Sequence, residues 1–175
     1  MTFNAKRIVF WTGSVNEENF SKVVSKIREL MVEYDNERIT LIITSSGGNV
    51  GVGFAFYDFI KGMKIPLDTV GLGSVDSMAI PMFLAGERRY IGRHTTMYFH
   101  ETSRSFSKDS SMPFRQQKTV VVVSARWINW YNNIVSDQSS NLLSPDDVEK
   151  LMTEETSLGP VEILNLNLAH GYFGK

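Results

Sequence analysis

From Arg38 onward the chain alternates two kinds of segment, and this alternation constrains the fold more than any other feature. "RITLIIT" is a compact β-branched run that ends in "SSGGN"; the helical pattern "VGVGFAFYDFIKGM" follows it. "LDTVGLG" then repeats the strand signal, and a second apolar helix begins near Ser77. Strands apolar on both faces and separated by helices cannot pair through hairpins, so they predict a buried parallel sheet with helical crossovers. The segments upstream obey the same rule. "RIVFWTG" reads as a strand closed by Gly13, and "NEENFSKVVSKIRELMVEY" carries Phe20, Val23, Val24, Ile27, Leu30 and Met31 at helical spacing. Asn16 is placed to cap that helix, with Glu17 and Glu18 in its first turn. "RRYIG" and "TTMYFHE" predict further short strands.

The pattern changes after Glu101. "TSRSFSKDSSMP" is polar and serine-rich, which predicts a loop. In "FRQQKTVVVVSARWINWYNNIVSDQSS" the valine run favours a strand, but Trp127, Trp130, Tyr131 and Ile134 keep three-four spacing, so a long helix is expected. Ser144 and Pro145 open a helix over "SPDDVEKLM", and "GPVEILNLNLAHGYFG" reads as a last helix ending at Gly171. With no repeat and no linker, the 175 residues predict one domain spanning 1–175.

Composition narrows the function. Net charge is −1 with no basic run, so neither nucleic acid nor an anionic membrane surface is expected as a partner. The absence of cysteine rules out disulfides, a thiol nucleophile and thiolate metal sites. The start of the chain does not read as a signal peptide, and the apolar run Met78–Ala85 is too short to span a bilayer, so a cytoplasmic protein is expected. "SSGGNVGVGFAF" sits where a phosphate loop would, yet neither G-x-G-x-x-G nor G-x-x-x-x-G-K-[ST] is present. Taken alone, Gly47 and Gly48 need only make a tight turn. His94, His100 and His170 include no i, i+4 pair and no H-E-x-x-H, so neither a metal nor any other cofactor is expected. His94 reads as a turn residue and His170 as a cation closing a helix.

Ser77 is the remaining candidate. It lies where a strand ends and a buried helix begins, so it is either a helix cap or a nucleophile. The G-x-S-x-G elbow is absent, because Ala79, after Met78, stands at its second glycine position. A helix N-terminus nevertheless presents free backbone N–H groups and a positive dipole end, which suit an oxyanion beside the first residues. Pro81 fits in the first turn, where its missing N–H has no helical partner.

The order Gly-Gly, helix, strand, Ser77, helix, strand, His100 resembles the Clp protease proteolytic subunit (ClpP) family. Its "SPGGSV", "ASMGA" and "MIHQP" segments correspond to "SSGGNV", "DSMAI" and "YFHE" here, and "RIVFWTGSV" is similar to its "RVIFLTGQV". The resemblance implies a ClpP/crotonase-like α/β spiral of βαβ units with a projecting long helix, the handle. It implies a serine peptidase in which Ser77 attacks the scissile carbonyl, His100 relays the proton, and the backbone N–H groups of Gly48 and Met78 hold the oxyanion. Aligning Glu162 with a family glutamate puts Glu155 at the acid position, with Glu154 as the neighbouring alternative. Glutamate replaces the family's aspartate there, Ser46 replaces its proline, Asp76 a small apolar residue and Ala79 a glycine. The resemblance further implies peptide or unfolded-protein substrates, a homo-oligomeric ring and an ATP-dependent unfoldase as partner. Two other readings stay open: a crotonase-superfamily enzyme acting on acyl-CoA thioesters, and a structural ring subunit whose site Asp76 and Glu155 have impaired.

Overall fold

The computed structural model describes residues 4–33, 37–101 and 114–174, with side chains left aside for 114–117. The alternating segments form a five-stranded sheet ordered β1-β2-β3-β4-β7: β1 (Ile8–Thr12), β2 (Ile39–Ser45), β3 (Leu67–Val75), β4 (Arg88–Ile91) and β7 (Gly171–Tyr172). Every pair in it is parallel. The first four strands lie in chain order, joined by α1 (Glu17–Glu33), α2 (Val50–Gly62) and α3 (Ala79–Leu84). The chain therefore winds in one direction, the spiral of βαβ units expected from the sequence. β5 (Met97–Tyr98) leaves the sheet and pairs antiparallel with β6 (Ser157–Leu158). Only these two residues of "TTMYFHE" form a strand.

The helix ends follow local chemistry. Asn16 accepts the Asn19 N–H at 2.9 Å and Asn49 the Val52 N–H at 3.1 Å, satisfying first-turn donors of α1 and α2. Ser144 and Asp147 form a reciprocal capping box at the start of α5 (Pro145–Thr153). The core lies between sheet and helices, where Trp11, Phe56, Phe83 and Phe99 are fully enclosed and Trp11 meets Phe56 edge-on at 5.5 Å. Burying each such side chain contributes about 1.5–3 kcal/mol.

The valine run is helical. It belongs to α4 (Phe114–Gln138), whose first half stands clear of the body, with Val121 67% and Val122 43% exposed. Among the described residues no helix is long and apolar enough to cross a membrane. The polar segment at 102–113, read as a loop, lies outside the described residues.

The last segment corrects the sequence expectation. The helix there, α6 (Pro160–Asn165), ends well before Gly171, and Gly171–Tyr172 forms the edge strand β7. His170 consequently closes no helix. Its Nδ1 accepts the Arg89 N–H at 3.0 Å, and its own N–H donates to the Arg89 carbonyl at 2.8 Å, so it continues the β4–β7 pairing. His94 does lie in a turn.

Candidate active site

The glycine pair, Ser77 and His100 meet at the carboxyl ends of β2 and β3, where open parallel sheets place their ligands. Gly47 and Gly48 take φ of +89° and +148°, conformations open to glycine. The close approach matters as much as the angles. A Cβ on Gly47 would lie 2.7 Å from the Ser77 Cβ, and one on Gly48 would lie 2.5 Å from the Val15 carbonyl oxygen. Gly53 yields its space to Met78 in the same way, at 2.3 Å from Cγ.

Ser77 is not the cap of α3; the N-cap position is Met78, which makes no side-chain cap bond. Ser77 instead occupies the turn before it with φ +51°, a left-handed conformation that non-glycine residues rarely adopt and that thrusts the side chain outward. Backbone bonds fix this turn from several sides. Asp76 N–H donates to Ser45 O at 2.9 Å, Ser77 N–H to Tyr98 O at 2.8 Å, Ala79 N–H to Asp76 O and Ile80 N–H to Ser77 O, both at 3.0 Å. The Tyr131 hydroxyl of α4 also reaches the Ser77 carbonyl, at 3.3 Å. Among the described residues the N–H groups of Gly48 and Met78 find no acceptor, and neither does the Ser77 hydroxyl. Two free donors and a free hydroxyl thus border one turn.

His100 lines the same cleft as Ser77 and Met78, but no Ser77–His100 hydrogen bond is formed. Its Nδ1 lies 2.8 Å from the Glu101 carbonyl oxygen. That oxygen can only accept, so Nδ1 is the donor, and in a neutral imidazole Nε2 is then the free acceptor a general base needs. The imidazole stacks on Tyr98 with ring centres 5.4 Å apart and planes 17° from parallel. The cleft holds about 20 Å³, room for a single water, and Trp127 and Tyr131 also line it.

The acid stands apart from the imidazole. The β5–β6 pairing and the Phe99 N–H to Thr156 O bond, 2.8 Å, bring Glu155 beside the strand that carries His100. Its carboxylate faces the Tyr98 hydroxyl; burial and then the Glu155 charge and hydrogen bond raise the Tyr98 pKa. Glu154 is drawn to Lys150 at 3.8 Å on the surface of α5. No group of three His, Cys, Asp or Glu side chains among the described residues could hold a metal ion.

Sequence reasoning missed Tyr98 and Tyr131 as parts of this site. Tyr98 lies two residues before His100 in the segment read as a strand, a spacing that puts both side chains on one face, which was a readable signal. For Tyr131 the three-four spacing of the aromatic residues pointed to a helix; the ring is buried, edge-on to Phe99 at 6.3 Å. Trp130 is the exposed member of that aromatic group, at 50%.

With this geometry in hand the relatives can be set beside it. The Clp protease family profile matches residues 1–164. The chain belongs to the Clp protease family. It is 36% identical over 100 residues to ATP-dependent Clp protease proteolytic subunit 2 of Thermobifida fusca (strain YX), covering 56% of this chain and 49% of that protein. It is 31% identical over 106 residues to proteolytic subunit 1 of Leifsonia xyli subsp. xyli (strain CTCB07), covering 59% and 54%. The chain thus spans about half the length of the curated relatives it matches. A ClpP1 mutant from Listeria monocytogenes superposes with a TM-score of 0.83 over 97% of this chain and 92% of that one, at 22% identity, which establishes the shared fold.

Proposed function

We propose that this chain is a serine peptidase acting on peptides or unfolded polypeptides. Ser77 Oγ attacks the scissile carbonyl while His100 Nε2 takes its proton. The N–H groups of Gly48 and Met78 receive the oxyanion, and the proton passes from His100 to the departing amine. Water then releases the acyl group from Ser77 by the same relay. Glu155 is the triad acid of this reading; its carboxylate faces Tyr98 and His100 Nδ1 is engaged by the Glu101 carbonyl, so a rearrangement must bring the two together before it stabilises the imidazolium. The observation that carries the reading is the left-handed turn at Ser77, whose hydroxyl and neighbouring Met78 N–H both lack partners among the described residues, beside a half-buried histidine.

Ser77, Met78 and His100 line this cleft together with Trp127 and Tyr131, so the substrate backbone is taken to lie across its mouth. Assembly into a homo-oligomeric ring, an ATP-dependent unfoldase as partner and a cytoplasmic location belong to this reading. The unformed Ser77–His100 bond favours one alternative, a structural ring subunit without turnover. Fluorophosphonate labelling and peptide hydrolysis by the wild type, Ser77→Ala and His100→Ala separate the two. Labelling of the wild type alone supports the peptidase; a wild type that resists the probe in its assembled state leaves the structural subunit.

A further inference from the structure

β3 and the segment leading into β5 run parallel, joined by Thr96 N–H to Gly73 O at 2.9 Å and Val75 N–H to Thr96 O at 3.0 Å. Ser77 N–H to Tyr98 O at 2.8 Å resumes the pattern. Between these bonds a regular parallel ladder sends the Tyr98 N–H to the Val75 carbonyl. Here the acceptor is a side chain, Asp76 Oδ1, at 3.0 Å. The backbone turns away at Ser77 to reach its left-handed conformation, and the carboxylate of Asp76 takes the missing ladder position.

We propose that Asp76 is a positioning residue that sets the register of the His100 strand against the Ser77 turn. The proposal rests on the peptidase reading of Ser77 and His100. Tyr98 is held on both sides of its peptide unit, N–H by Asp76 and carbonyl by Ser77 N–H. Its ring stacks on the His100 imidazole, so a displaced Tyr98 displaces the base. Proton transfer from Ser77 needs Nε2 within hydrogen-bond reach, and an error of about 1 Å in such a contact costs about 10²-fold in rate. The small apolar residue of the similar family segment "ASMGA" offers no side-chain oxygen at this point; here aspartate supplies one. The role asks for an acceptor and not for a charge, since a neutral amide presents the same Oδ1.

The test compares Asp76→Asn with Asp76→Ala in the assembled full-length protein. Two readouts are followed: fluorophosphonate inactivation, resolved into probe affinity and the chemical step, and hydrogen exchange at the Tyr98 amide. In Asp76→Ala the chemical step falls by at least about tenfold with affinity unchanged, and the Tyr98 amide exchanges at least about tenfold faster. Asp76→Asn keeps both within about threefold of wild type. Wild-type inactivation by Asp76→Ala overturns the proposal, as does Asp76→Asn falling equally far while its Tyr98 amide stays protected. A wild type that never reacts removes the peptidase reading instead. The exchange comparison then still judges the Asp76–Tyr98 bond, and unchanged protection in Asp76→Ala refutes it.

Discussion

The two ends of the sheet are built on opposite plans. At the amino ends of the strands, arginines bind backbone carbonyls and a buried carboxylate. Arg7 donates to the carbonyls of Leu30, Glu37 and Arg38; Asp68, 3% exposed at its side chain, is gripped by Arg38 and Arg88. Arg89 is buried without a carboxylate. It donates to the carbonyls of Gly86, Gln138, Asn167 and Leu168, which pins the end of α4 and the α6–β7 connection to β4. At the carboxyl ends, by contrast, the backbone is bent into left-handed conformations, and a hydroxyl and two N–H groups find no partner among the described residues. One end spends side chains on stability; the other stores strain and unused bonding capacity where a substrate could use them. The division predicts that changes at one end alter rate without weakening the fold, and changes at the other do the reverse.

The largest test is Ser77→Gly. The loss of the hydroxyl removes fluorophosphonate reactivity by at least about 10³-fold, while relief of the left-handed strain raises stability by about 1 kcal/mol. Denaturant midpoints and labelling rates on the same samples give both numbers. Equal or lower stability in Ser77→Gly means that the turn is not strained, and the contrast between the ends weakens.

Arg89→Met is the mirror experiment. Burial holds the guanidinium down at about 10, with Tyr57 offsetting part of the shift, so Arg89 is a cation at neutral pH and its donors are fully engaged. Removing them leaves several carbonyls short of partners and costs about 2–4 kcal/mol. The folded fraction is expected to label at the wild-type rate. A Met variant of unchanged stability shows that water replaces the clamp without loss.

This contrast also explains what the sequence made legible. Runs such as "RITLIIT" and "NEENFSKVVSKIRELMVEY" carry their period and their caps with them, so strand, helix and order could be read directly. Ser77 stood out because it sits where a strand ends and a helix begins, whereas Gly48, Met78 and His100 were singled out through the resemblance of their segments to the family. "ILNLNLAHGYF" was misread because its apolar spacing suits a helix, while the β7 pairing depends on Tyr90 and Ile91, far away in the chain. The partner of Glu155 was likewise invisible: the antiparallel pairing of Tyr98 with Ser157 brings the phenol and the carboxylate together, and nothing local to either residue announces it.

Tyr131→Phe sharpens the comparison because it touches both ends of the argument. The ring is buried core, and its hydroxyl holds the Ser77 carbonyl at 3.3 Å. Burial, and after it the Asp76 charge, pushes the Tyr131 pKa upward, so the phenol stays protonated and donates across the working range. Phenylalanine keeps the packing and loses one neutral hydrogen bond, for a stability change of about 0.5–1.5 kcal/mol. The labelling rate is expected to fall by a few-fold, as about 10^0.5 in rate matches 0.7 kcal/mol of turn positioning. A full stability loss with an unchanged rate assigns Tyr131 to the scaffold alone.

The smallest expected effect is a titration at the clamped end. Partial burial, and after it the Arg89 guanidinium, lowers the His170 pKa from its ordinary value of 6.5. The geometry supplies the reason: Nδ1 already accepts the Arg89 N–H, so a second proton on the ring must break that bond. Because the unfolded chain takes up this proton before the folded one does, the contribution is complete above about pH 6.5 and is lost as pH falls through the lower folded value. The imidazole is exposed enough for solvent to screen the effect, so it is a slope and not an acid collapse. Thermal midpoints of wild type and His170→Gln between about pH 5 and 8 are expected to converge on acidification, the wild type losing the advantage it holds at neutral pH. Parallel curves for the two proteins place the proton elsewhere and leave the Arg89–His170 pairing as a contact of the backbone only.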